Sequence, residues 1–266
     1  MERFICVACG TQYREGPDPP DRCPICLDPR QYVPPGGQRW TTLEELRATH
    51  RTELGEEAGL ATITTQPHFA IGQRAVLVPW GDGLLLWDCV ALLDDATAAE
   101  IDRRGGLRGI AISHPHYYTT MVEWAERFGC PVHLHAADAR WVMRPNPAID
   151  HWDGERLNLG DGLTLVRGGG HFPGGTMLHR AEGAGTLLSG DIVQVVPDRS
   201  HVAFMWSYPN YVPLPEAEVR RVAASVDGLA FETIVGAFPG TVIESGGREV
   251  LERSVERYAR AVREVL

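Results

Sequence analysis

The chain has 266 residues, 44% hydrophobic and 23% charged, the balance of a soluble globular protein with room for one main domain and an appendage. Its formal net charge of −10 at pH 7 argues against nucleic acid or anionic membrane as a partner, since both need a basic surface. All 25 basic residues are arginine, so neither a Schiff-base lysine nor a lysine general base can exist here.

Met1-Glu2-Arg3 runs straight into Phe4-Ile5-Cys6, with no signal-peptide pattern. No apolar run approaches the roughly 20 residues that span a bilayer, and a cytoplasmic location is expected. Four cysteines follow at once, as Cys6-x-x-Cys9 and Cys23-x-x-Cys26. In a reducing compartment that spacing reads as metal ligation, two knuckles closing four thiolates around one ion. The stretch between them is rich in turn formers (Gly10, Gly16, Pro17, Asp18, Pro19, Pro20, Asp21) and buries too little to fold without its metal. Cys6-Val7-Ala8-Cys9-Gly10-Thr11-Gln12-Tyr13 with Cys23-Pro24-Ile25-Cys26 resembles rubredoxin-like and zinc-ribbon modules. That resemblance implies a unit over residues 1–35 that holds zinc or iron and offers a knob to a protein partner. Cys89 and Cys130 lie outside any motif spacing and read as buried small hydrophobes.

Residues 36–61 read as linker and helix. Pro34-Pro35-Gly36-Gly37 marks the break, and Thr41 with Glu44 forms a capping-box pattern for a helix that ends by Gly55 or Gly59. The main body spans 62–266. Strands are expected at 75–78, 84–88, 110–112, 130–135, 157–159 and 163–166, and helices at 94–103, 119–128, 215–226 and 244–265, with a short one from Ala136. This mixture is an α/β domain, with two sheets or one large sheet covered by helices.

The chemistry gathers where apolar segments end. Ser113-His114-Pro115-His116-Tyr117-Tyr118-Thr119 closes Gly109-Ile110-Ala111-Ile112, and His114 and His116, one residue apart, can grip one ion. His171, in Gly170-His171-Phe172-Pro173-Gly174, and Asp191, in Ser189-Gly190-Asp191, each close a later apolar segment and could complete the grip. Together with Leu86-Trp87-Asp88, these runs resemble the successive motifs of the metallo-β-lactamase superfamily, the MBL-fold metallo-hydrolases such as the glyoxalase II-like enzymes. The resemblance implies an αββα sandwich with metal at one edge. It also implies His114, His116 and His171 as ligands of a first metal, Asp191 as the carboxylate that usually bridges two metals, and Asp88 as support for the histidine loop.

The chain departs from that pattern. The family's H-x-H-x-D-H continues here as Tyr118 and Thr119, and its terminal Pro-Gly-His-Gly turn is matched by Ala237-Phe238-Pro239-Gly240. The side chains dedicated to a second metal are gone, so a mononuclear site is expected. The resulting reading is a metal-dependent hydrolase of a small ester, thioester, lactone or amide, with one zinc on three histidines and Asp191, and a second zinc on the cysteines. Iron is possible at either site. Asp191 reads as a ligand or as a general base acting through water, and Tyr118 as a donor to a substrate oxyanion or as packing. The alternatives are a mononuclear iron oxidoreductase resembling persulfide dioxygenases and a non-catalytic, metal-stabilised interaction protein. Phe204 to Tyr211 is expected to wall a small-molecule pocket. His133, His135 and His179 read as structural, although His135 could approach the metal pocket. The two metal sites are expected to be independent, so that Cys23→Ser empties one and spares the other.

Overall fold

A computed structural model describes residues 1–263 and builds them into two stacked sheets between helices. The amino-terminal module contains β1 (Ile5–Cys6) and α1 (Pro24–Leu27); β2 (Trp40–Thr41) returns to pair with β1 before α2 (Leu43–Thr49). A seven-stranded sheet follows in chain order: β3 (Arg51–Glu57), β4 (Leu60–Gln66), β5 (Ala75–Trp80), β6 (Gly83–Trp87), β7 (Leu107–Ala111), β8 (Val132–His135) and β9 (Ile149–Trp152). Its pairings turn parallel from β6 onward, because α3 (Asp95–Arg103) and α4 (Met121–Phe128) carry the chain back between β6, β7 and β8.

The second half opens with β10 (Arg156–Gly160), β11 (Leu163–Arg167), β12 (Thr176–Arg180) and β13 (Thr186–Gly190). Two short ribbons come next, β14 (Gln194–Val195) with β15 (Val202–Ala203) and β16 (Met205–Ser207) with β17 (Val212–Pro213). After α5 (Glu216–Ser225), β18 (Thr233–Gly236) and β19 (Val242–Ile243) finish a six-stranded sheet of order β10-β11-β12-β13-β18-β19, and α6 (Gly247–Arg263) covers it. The expected extension of this last helix to 265 lies outside the described residues.

Alternation along the strands makes the layers. Val76, Val78, Leu85 and Trp87 face Leu163, Leu165, Leu178 and Leu188 between the sheets. The opposite faces hold Leu77, Leu86 and Ile110 against Ile101, Val122 and Trp124, and Val166, Leu187 and Ile234 against Val219, Val222 and Val250. The result is the αββα sandwich. No helix among the described residues is long and apolar enough to cross a membrane.

The structure differs from the sequence reading at one junction. The helix expected to reach Gly55 or Gly59 stops at Thr49, and its capping box is Thr42 with Glu45, one residue later than expected. Arg51 to Glu57 is instead an outer strand paired with β4 from Arg51↔Gln66 to Glu57↔Leu60. Pairing with β4 overrides the helix-favouring Glu-rich composition of this segment, so the large sheet begins ahead of residue 62.

Candidate metal centre

The four cysteines converge, with their sulfurs within 4.8 Å of one another. Cys6 and Cys26 Sγ lie 3.6 Å apart and Cys9 and Cys23 Sγ 3.7 Å apart, far beyond a disulfide's bond length. Zinc–sulfur bonds of about 2.3 Å in a tetrahedron separate the sulfurs by about 3.8 Å, so the set fits an ion. Gln38 Nε2 donates to Cys6 Sγ at 3.0 Å, a contact that suits a thiolate. The cluster faces into the body, and none of its four cysteines is more than 1% exposed.

The second cluster sits at one edge of the sandwich. His114 and His116 follow β7, Asp88 follows β6, Asp191 follows β13, and His171 lies in the loop before β12. Asp88 Oδ1 accepts the Ser113 amide at 2.8 Å and so fixes the start of the histidine loop, the supporting role expected of it. Gly190, at φ +52°, lets β13 come close: a Cβ there would lie 2.5 Å from Ser113 Oγ.

The three imidazoles converge with ligand atoms within 4.8 Å. His171 Nδ1 donates to the Trp206 carbonyl at 2.8 Å, which leaves a lone pair on Nε2. That Nε2 is 3.2 Å from His116 Nδ1, against about 3.3 Å for two nitrogens on a tetrahedral zinc. His114 Nδ1 is 2.9 Å from Ser113 Oγ, and its Nε2 points at Asp191, 3.9 Å from Oδ2. His114 Nε2 and Asp191 Oδ1 are buried and have no hydrogen-bond partner among the described residues. Burial first, then the neighbouring cationic groups, keeps His114 and His116 well below the usual imidazole range, and burial takes His171 down to about 4. Neutral imidazoles are what a metal needs. Burial also pushes the carboxyls of Asp88 and Asp191 up to about 7, a cost that a bound cation would offset. The donor set fits a divalent metal.

The positions where a second metal's ligands were absent from the sequence are filled by packing. Thr119 gives its carbonyl to the Gln12 amide at 3.0 Å, and Ala237 gives its carbonyl to the Arg74 amide at 2.9 Å. The buried Tyr118 has Asp138 as its charged neighbour and Tyr117 has Asp191, which help burial to hold each phenol above its usual range. The Tyr117 ring packs edge-on to His114 with centroids 4.3 Å apart. The Tyr117 hydroxyl is buried with no hydrogen-bond partner among the described residues, and Tyr118, read as an oxyanion donor or as packing, lies in the apolar cluster with Phe172. His135 caps a 3₁₀ turn through Ala137 N at 3.1 Å and meets the Gly154 carbonyl, and His179 meets the Ala230 carbonyl at 2.8 Å. Two residues of the aromatic segment touch the cluster: the Trp206 carbonyl accepts from His171 Nδ1, and Tyr208 Oη donates to the Asp191 carbonyl at 3.0 Å.

One participant has no sequence signal. Arg30, four residues beyond Cys26, donates from Nη1 to the His171 carbonyl at 3.3 Å, and its guanidinium carbon lies 3.8 Å from the centre of the Phe172 ring.

No family model matches the chain. The uncharacterized protein YmaE of Bacillus subtilis (strain 168) is 46% identical over 268 residues, covering 98% of this chain and 97% of YmaE. Among solved structures, the metallo-β-lactamase FIM-1 from Pseudomonas aeruginosa in its mono-zinc form has a TM-score of 0.58 at 17% identity, covering 80% of this chain and 97% of its own. The metallo-β-lactamase DIM-1 exposed to ceftazidime has a TM-score of 0.59 at 12% identity, with coverage of 79% and 98%. At these identities the likeness shows the fold, and the sandwich is that of the metallo-β-lactamases.

Proposed function

Because this chain belongs to the same family as YmaE and carries the metallo-β-lactamase fold, we propose that its three-histidine centre holds one zinc ion. On this reading the chain is a metal-dependent hydrolase of a small ester, thioester, lactone or amide. The observation that carries it is the convergence of His114 Nε2, His116 Nδ1 and His171 Nε2 beside the unpartnered Asp191 Oδ1. Bound there, zinc would supply Lewis acidity and a water acidified toward neutral pH.

The chain's own groups prepare the site. The Trp206 carbonyl sets the tautomer of His171, Ser113 Oγ lies 2.9 Å from His114 Nδ1, and Asp88 holds the loop that carries the two neighbouring histidines. Asp191, 3.9 Å from His114 Nε2, would serve as the fourth ligand or take the proton of an attacking water. Mononuclearity rests on Tyr118, Thr119 and Ala237, none of which offers the carboxylate or imidazole of a second site. FIM-1 has been seen with a single zinc, so this fold accommodates one ion.

Elemental mass spectrometry on protein purified without oxygen or added metal tests the reading. We expect two zincs per chain, falling to one in His116→Ala, which should also lose hydrolysis across an ester and thioester panel. Unchanged metal in His116→Ala would refute the ligand assignment, and a third metal would refute the mononuclear site. Iron in the histidine centre would replace hydrolysis with oxygen or electron chemistry.

A further inference from the structure

The turn after the fourth cysteine reaches the histidine centre from two directions. Directly, Arg30 Nη1 donates to the His171 carbonyl at 3.3 Å. Indirectly, the backbone of the same turn anchors the segment whose Trp206 carbonyl holds His171 Nδ1. Ser207 Oγ donates to the Arg30 carbonyl at 3.1 Å, and Asn210 Nδ2 donates to the carbonyls of Pro29 at 2.8 Å and Gln31 at 3.1 Å. His171 is thus held at both its backbone and its ring by elements tied to residues 29–31.

Arg30 is itself fixed. Its Nε and Nη2 fork onto Asp28 at 2.6 and 2.9 Å, and its side chain, 7% exposed, lies over Phe172. A planar guanidinium alone can fork onto a carboxylate, stack on a ring and donate to a carbonyl together. The guanidinium is committed to the protein and too enclosed to receive a substrate. Asp28 in turn caps α1, the one-turn helix that follows Cys23 and carries Cys26, through its amide to the Pro24 carbonyl at 3.0 Å.

We propose that Arg30, presented by the Asp28–Gln31 turn, is a positioning residue for His171, so that metal on the four thiolates sets the affinity of the three-histidine centre for its own metal. This rests on the reading of His171 as a ligand. It reverses the independence of the two sites expected from the sequence.

The test uses the full chain loaded with cobalt(II), which is then withdrawn by graded chelator. Thiolate-to-cobalt charge-transfer bands report the cysteine site, and d–d bands report the histidine centre. Arg30→Ala should keep the thiolate bands and weaken the histidine centre roughly 10–100-fold, the usual effect of losing an outer-shell partner. Cys26→Ser should lose the thiolate bands and weaken the histidine centre comparably. Wild-type affinity at the histidine centre in Arg30→Ala would overturn the proposal. If Arg30→Ala also loses its thiolate bands, Arg30→Lys decides: a tenfold or greater loss supports the proposal, and wild-type affinity overturns it. Absence of histidine-type d–d bands from the wild-type protein would instead overturn the proposed function.

Discussion

Asp138 shows how one buried group near the site shapes stability. Its Oδ2 accepts the Gly174 amide at 3.0 Å, while Oδ1 has no partner among the described residues. Burial pushes its carboxyl up to about 6 against the pull of the Gly174 amide, Arg30, Arg140 and Arg167. A carboxyl raised in the folded state contributes most below its unfolded value of about 3.9, and that contribution is lost as pH rises through about 6. Asp138→Asn keeps an acceptor for Gly174 without the charge. It should be more stable than wild type by roughly 3 kcal/mol at pH 8 and close to it in stability near pH 4, as read from urea unfolding. Equal stability at pH 8 would mean that the carboxylate is compensated where it lies. At this scale the converging histidines were legible, because His114 and His116 flank a single residue at a strand end and His171 sits among glycines after another apolar strand. Arg30 was not, since its partner His171 is 141 positions away and no spacing links them.

Among the elements, β3 shows where local pattern misleads. Arg51-Thr52-Glu53-Leu54-Gly55-Glu56-Glu57 has helix-favouring composition and no strict alternation, yet its seven residues pair with β4 along their whole length. The signal that would have revealed a hairpin is an Asn-Gly turn, and the chain uses Ala58-Gly59 instead, at φ +51° and +71°. Alanine in the left-handed region is strained by about 1 kcal/mol or more, and asparagine tolerates it better. Ala58→Asn should therefore raise stability by about 1 kcal/mol in thermal or urea unfolding, with metal content unchanged. A neutral or lower stability would count against a strained primed turn. The strands that were legible, β5, β6 and β7, are buried apolar runs between turn formers, where composition and tertiary context agree.

For the molecule as a whole, the missing second-metal donors and the added cysteine module are one feature. Tyr118 and Ala237 belong to the same apolar cluster as Cys6, Tyr13, Ile25 and Phe172, and a Cβ on Gly10 would lie 3.3 Å from Thr119 Cγ2. The residues standing where the family pattern has second-metal ligands are part of the floor on which the module rests. Polar links reinforce that seat: Arg144 bonds Gln12 at 2.5 Å and Glu123 at 2.6 Å, joining the module to α4. Since the same cluster continues through Leu86 and Ile110 into the large sheet, the module has no core of its own to melt separately. Withdrawing metal from the thiolates should therefore lower a single unfolding transition, by more than about 5 °C given the size of structural zinc-binding energies. Calorimetry with and without chelator reads this directly. If a small early transition splits off while the main one stays in place, the module is an appendage, and the floor formed by Tyr118, Thr119 and Ala237 stands without it.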